Sequence, residues 1–197
     1  MSSIVSRINR NLGLLFRSFQ TGRKGAKFNR NALLCAYYSS VRSILEYGSV
    51  IWAGAADTHT VRVDRVQHKF LIWLLSNTFS GHSISLDYSV LLNHFRIPSL
   101  ASRRAQHDLL FIRNLFHGRH DCCLLLNSFA LHAPTRSTRT QKLFYEPRAR
   151  VNSVKRGLFN RVPCLVNSFL CTVPEADFFA NASGTFKAHV LKYTSSS

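Results

Sequence analysis

Apolar residues recur every three or four positions through most of the first 120 residues. Between 4 and 19 they fall at Ile4, Ile8, Leu12, Leu15 and Phe19, with Arg7, Arg10 and Arg17 elsewhere on the turn. That is the pattern of an amphipathic helix with one buried stripe. Gly22 and Gly25 break it inside a basic loop. A second helix is predicted over about 30–52, where Leu33, Tyr37, Val41, Ile44, Leu45, Gly48 and Trp52 share roughly a 120° arc. Asp57 or Thr58 is placed to cap a third helix running to about Asn77. Its first half sets Val63, Val66 and Phe70 on one side. Its second half, Phe70 to Leu75, is apolar all round, so other elements should enclose it.

A short helix from Tyr88 to Phe95 is ended by Pro98, and Ser99 then caps a fourth long helix reaching 117. Leu100, Ala105, Leu109, Ile112 and Phe116 form its buried face, and Gly118 sits where a left-handed stop belongs. Residues 130–163 are rich in Pro, Arg, Ser and Thr, with Glu146 their one acid, and read as irregular chain. A small amphipathic helix over 177–193 would carry Phe178, Phe179, Phe186, Val190 and Tyr193. The expectation is a mainly α chain: a small helical bundle over 1–80, a helical connector over 81–130, and a largely irregular basic extension over 131–197. Trp52, Phe70, Trp73, Leu74, Leu109 and Ile112 should be buried.

The composition suits that picture and adds one strong term. With 197 residues, 46% hydrophobic and 18% charged, the chain has the material for a packed core. Twenty-six Lys and Arg stand against 9 Asp and Glu, a formal charge of +17. Such a surplus repels itself unless a polyanion neutralises it, which points to nucleic acid or an acidic surface. The five cysteines form no C-x-x-C pair, which argues against disulfides and suits an intracellular, cytoplasmic or nuclear, setting. No apolar run is long enough for a membrane span. Residues 1–45 carry eight Arg and Lys and no acid. A mitochondrial presequence would look the same, so that reading stays open beside the basic helix.

Catalytic constellations are hard to find. Neither a phosphate-binding G-x-x-x-x-G-K-[ST] nor a G-x-G-x-x-G occurs. Two-metal phosphoryl transfer needs carboxylates clustered tightly enough to hold ions about 3.5–4 Å apart. Here no two acids are adjacent, and only Glu175 and Asp177 are close. No enzyme site and no cofactor is expected from these residues alone. His117, His120, Cys122 and Cys123 have zinc-ligand chemistry, but adjacent cysteines do not readily aim both sulfurs at one ion. A helix end passing into a loop accounts for them as well. Trp52, Trp73, Tyr37 and Tyr47 could stack on bases, yet their places on apolar stripes favour the core. The clearest candidates for phosphate contact are Arg62, Arg65 and Lys69, which share about 60° of the third helix and flank its apolar face. Arg23, Lys24 and Lys27 form a second basic group. A merely solvated bundle edge would produce the same stripe.

Several segments, taken in order, resemble one family. Leu45-Glu46-Tyr47-Gly48-Ser49-Val50-Ile51-Trp52 and then Val63-Asp64-Arg65-Val66-Gln67-His68-Lys69-Phe70 are similar to paired signatures that follow the palm in non-LTR retrotransposon reverse transcriptases of the jockey type. Ser99-Leu100-Ala101-Ser102-Arg103-Arg104, Asp108 to Phe111 and Leu115 to Gly118 resemble that family's next helix. His132 to Arg136, Phe144-Tyr145, Arg150-Val151-Asn152 and Phe186 continue the order, closest to elements of arthropods such as ticks. The resemblance spans nearly the whole chain and implies a thumb and post-palm portion of an RNA-directed DNA polymerase. The palm, with its catalytic aspartates, would precede residue 1, and the chain itself would be a non-catalytic fragment. Its implied partner is an RNA or DNA duplex held through phosphates. A stand-alone basic nucleic-acid-binding or scaffold protein recruited from a transposon is the alternative.

Overall fold

The computed structural model describes residues 2–21, 29–54, 57–78, 87–133, 142–179 and 183–196. These are mainly helical. The chain forms two compact units: 1–47 with 56–100, and 48–55 with 101–197.

In the first unit, α1 (Ser2–Thr21) buries Ile8, Leu12 and Leu15 along the predicted stripe. The second predicted helix is interrupted. It runs as α2 (Arg30–Tyr37), a π turn (Tyr38–Arg42) and α3 (Ser43–Glu46), then stops at Tyr47. The Asn29 side chain caps α2 by accepting from Ala32 N at 3.2 Å. Two causes break the helix. Ser39 and Ser40 both donate their hydroxyls to the Ala36 carbonyl, and Ser43 donates to Ser39, so side chains compete for the ladder where it widens. Gly48 then turns left-handed at φ 61°, a conformation that glycine adopts without steric cost. Gly48 therefore ends a stripe to which it was assigned, and Tyr47, expected in the core, is 85% exposed.

The long α5 (Asp57–Thr78) matches its predicted span, and α6 (Tyr88–Phe95) does so to the residue. Tyr37 is fully buried and stacks on Phe70 with centroids 3.8 Å apart. Phe16 of α1 stacks on Trp73 of α5 at 4.5 Å. Phe70, Leu71 and Leu74 are fully buried, but Ile72 is exposed and Trp73 only half-buried, so α5 is not enclosed on every side as expected. The polar Gln67 is buried at no cost, because its amide donates to the Pro98 carbonyl and accepts from the Tyr88 hydroxyl. After α6 the chain turns left-handed at Arg96, φ 53°, with Ile97 N donating back to Leu92 O.

In the second unit, α4 (Ser49–Trp52) follows Gly48, and α7 (Leu100–Phe116) is the fourth long helix. Gly118 closes α7 in the predicted left-handed form, φ 66°, with Arg119 N bonded to Asn114 O and Gly118 N to Leu115 O. Trp52, expected in the core, is half-buried, with the Arg104 guanidinium 5.8 Å from its ring centre. Beyond a short α8 (Cys123–Asn127) the expectation of irregular chain fails over 152–163, while the terminal helix expected over 177–193 is present, displaced to 183–196. Asn152–Arg156 is α9, Leu158–Thr172 is α10 and Ser183–Ser196 is α11. Pro163 lies inside α10, where it forfeits a ladder bond. Burial of Val162, Val166 and Phe169 on one face outweighs that loss. These pack with Leu109, Ile112, Phe144, Phe178, Phe186 and Val190 into a core rich in edge-to-face phenylalanine pairs.

Among the described residues, 142–151 keep the irregular character and are held firmly. Leu143–Tyr145 pairs with Ala130–His132 through His132 N to Leu143 O and Tyr145 N to Ala130 O. From α10 the buried Asn167 accepts from the amides of Leu143 and Phe144 and donates to the Phe144 carbonyl and to Glu146, all at 2.8–3.0 Å. That uses every donor and acceptor of one asparagine.

Candidate nucleic-acid interface

The predicted stripe is present on α5. Arg62, Arg65 and Lys69 are all exposed. Taking the buried face of α5 as centred between Phe70 and Leu74, at 100° per residue Arg62, Lys69 and Arg65 lie about 100°, 120° and 160° from that centre. The stripe therefore begins beside the packed face, near Val66 and Trp73, and extends round to the open side of the helix. The acids of α5 are Asp57 and Asp64, and Asp64 lies toward the core on the far flank. Arg23, Lys24 and Lys27, the second basic group, lie outside the described residues.

A further set belongs to the basic segment 7–30, the alternative binding surface should the α5 stripe prove a packing edge. Arg7, Arg10 and Arg17 of α1 are exposed, and α1 carries no acid at all. The signal was present as an acid-free helix with arginines off its apolar stripe. What periodicity cannot provide is which neighbour α1 meets. The Phe16–Trp73 stack supplies it, since both rings sit toward the C-terminal ends of their helices. Trp73 lies about 40° round α5 from Lys69 and about 20° from Arg62, while Phe16 is on the flank of α1 that leads to Arg17 and Arg10. Lys69 and Arg62 of α5 thus border the seam where α1 and α5 meet, while Arg17 and Arg10 lie about 100–120° round α1 from Phe16.

Ser49 Oγ and His107 Nδ1 are 2.9 Å apart, which has the form of a nucleophile and base. Yet Ser49 is 2% exposed, and the other ring nitrogen faces the Arg103 guanidinium at 3.4 Å rather than a carboxylate. This is a packed polar contact. His117 Nε2 lies 3.2 Å from the Phe178 carbonyl, and His120 stacks on Phe111. Among the described residues no group of three or more His, Cys, Asp or Glu could hold a metal ion, so the four zinc candidates do not converge. All five cysteines are free thiols. No helix among the described residues is long and apolar enough to cross a membrane.

Several arginines are consumed internally. Arg161 donates twice to the buried Asp108 carboxylate, at 2.9 and 3.1 Å, and also to the carbonyls of Val50 and Arg156. Burial raises the Asp108 pKa above the ordinary range against the pull of Arg161. Arg42 pairs with Glu46 at 2.6 Å, and Arg113 lies 4.8 Å over the Phe186 ring with its pKa lowered by burial.

No family model, curated protein or solved structure matches the chain.

Proposed function

We propose that the chain is the helical thumb and post-palm portion of a jockey-type reverse transcriptase, holding a nucleic-acid duplex through phosphate contacts and doing no chemistry itself. The observation that carries this reading is the acid-free basic stripe on the outward face of α5, within a chain of charge +17. Three cations on consecutive turns, held by a helix whose other face is core, can follow a phosphate backbone without reading its bases. The ordered series of sequence segments supports the parentage. The distribution of acids supports the lack of catalysis, since Asp108 is buried against Arg161 and the other carboxylates are scattered.

The test is duplex binding as a function of salt. Neutralising about five phosphates gives a slope of log affinity against log salt of roughly −4 to −5. Replacing Arg62, Arg65 and Lys69 together by glutamine should flatten that slope by about 2–3 and leave the helical circular dichroism unchanged. A triple variant that folds and keeps the wild-type slope overturns the assignment of α5. Metal-dependent primer extension by this chain alone would overturn the non-catalytic reading.

A further inference from the structure

The second unit presents a basic, aromatic surface of a different kind. Phe144 is fully buried and Tyr145, the next residue, is 53% exposed. Alternation across an extended chain puts one ring in the core and the other in solvent. The backbone that carries Tyr145 is fixed on both sides, by Asn167 and by the pairing with Ala130–His132. An exposed ring on so constrained a stretch is preorganised, and little entropy remains to be lost when something stacks on it.

The charge around it is one-sided. Lys142, Arg148, Arg150, Lys155 and Arg156 stand against Glu146 alone between 142 and 156, five positive and one negative. Glu146 is already engaged by Asn167 and Lys142 at 2.8 and 2.9 Å, which hold its pKa below the ordinary range. Arg148, Arg150 and Lys155 are exposed. Along a chain that rises at most about 3.5 Å per residue, Arg148 and Arg150 come within roughly 10 and 18 Å of Tyr145. That is a few nucleotides of an extended strand.

We propose that Tyr145 with Arg148 and Arg150 forms a binding site for single-stranded nucleic acid, in which a base stacks on the tyrosine and the following phosphates meet the arginines. A flat ring flanked by cations suits a strand whose base faces are open. A duplex keeps those faces stacked on one another and offers the tyrosine nothing. The site is built from residues other than those of the α5 stripe and stands whether or not that stripe binds duplex.

The experiment uses the full chain and a fluorescein-labelled twelve-residue oligo(dT), followed by anisotropy, with a blunt duplex in parallel. Tyr145→Ala should weaken oligo(dT) binding about tenfold, within the range that loss of one base–aromatic stack produces, and leave the duplex within twofold. Tyr145→Phe, which keeps the ring, should stay within twofold for both. Arg148→Gln with Arg150→Gln should flatten the single-strand salt slope by about 1.4. Ultraviolet crosslinking of wild-type protein to 5-iodouracil oligonucleotide, mapped by mass spectrometry, gives a readout that needs no variant and should mark Tyr145. Crosslinks confined to other residues would overturn the site, as would a folded Tyr145→Ala that keeps its oligo(dT) affinity or loses duplex equally. A polyglutamate peptide of equal charge that displaces oligo(dT) just as well would show that the surface recognises charge alone, and would overturn the stacking role.

Discussion

Replacing Arg161 by methionine strands a carboxylate. The Asp108 side chain is 3% exposed, and both of its oxygens depend on Arg161, whose own side chain is 21% exposed. Breaking such a pair from the cationic side costs about 3–5 kcal/mol, and the partial exposure of Arg161 argues for the lower end. Asp108→Asn is a different perturbation. The guanidinium keeps the Val50 and Arg156 carbonyls and one amide oxygen, but the amide nitrogen cannot accept from it, so one of the two bonds and the charge assistance are lost, about 1–3 kcal/mol. The order of the two losses is the prediction, and pH sharpens it. The folded-state pKa of Asp108 already stands above its ordinary value, because burial outweighs Arg161. Removing Arg161 raises it further. A carboxyl with a raised folded pKa binds its proton more readily folded than unfolded, so the variant gains stability as pH falls through that pKa. The gap between wild type and Arg161→Met should therefore narrow by at least ~1 kcal/mol between pH 7 and pH 4. Urea unfolding in a Trp73→Phe background, where Trp52 fluorescence reports the second unit, measures it. An Asp108→Asn variant less stable than Arg161→Met, or a gap that is constant with pH, would refute the reasoning.

Two further variants probe the same unit. Asn167→Ala leaves the Phe144 amide and carbonyl buried without their partner and frees the Leu143 amide, a loss of about 2–4 kcal/mol by urea unfolding, and it should also reduce oligo(dT) affinity by releasing Tyr145. A loss below about 0.5 kcal/mol would mean that the segment does not need its clamp. Gly54→Ala would place a Cβ 2.4 Å from the Arg156 carbonyl oxygen, a backbone atom that must move, and should cost about 1–3 kcal/mol. Unchanged thermal unfolding would refute that close approach.

The helices that sequence predicted well are those whose only information is periodicity. α1, α5, α6 and α7 each repeat apolar residues at one spacing between clear stops, and their ends fall within two residues of expectation. The failures have local causes. Over 30–52 the apolar stripe continues through Gly48, and a wheel cannot distinguish a glycine that packs from one that takes φ 61°. Over 158–172 Val162, Val166 and Phe169 stand at helical spacing, but the irregular reading of 130–163 rests on its Pro, Arg, Ser and Thr content. Composition penalises a helix locally, whereas the burial that stabilises α10 comes from α7, α11 and Phe144, residues remote in sequence. The α5 stripe was legible as a pattern; its full exposure, and the seam it shares with α1, were not.

The same distinction bears on the charge. A formal +17 treats every arginine alike, yet Arg42, Arg113 and Arg161 are spent inside the fold on Glu46, an aromatic ring and Asp108. Two of these consume an acid as well, so the pairs cancel and the surplus is undiminished. It is instead concentrated: Glu46, Asp108 and Glu146 are engaged by Arg42, by Arg161 and by Asn167 with Lys142, and the exposed acids Asp87, Asp121, Glu175 and Asp177 fall outside the basic stretches in sequence. What remains outside is segregated into stretches with no competing carboxylate, on α1, on the outer face of α5, and over 148–156. Interspersed charges of both signs would give solubility with little field, while segregated ones create a potential that a polyanion feels at a distance. The internal ion pairs and the external basic surfaces are thus two results of one allocation of nine acids.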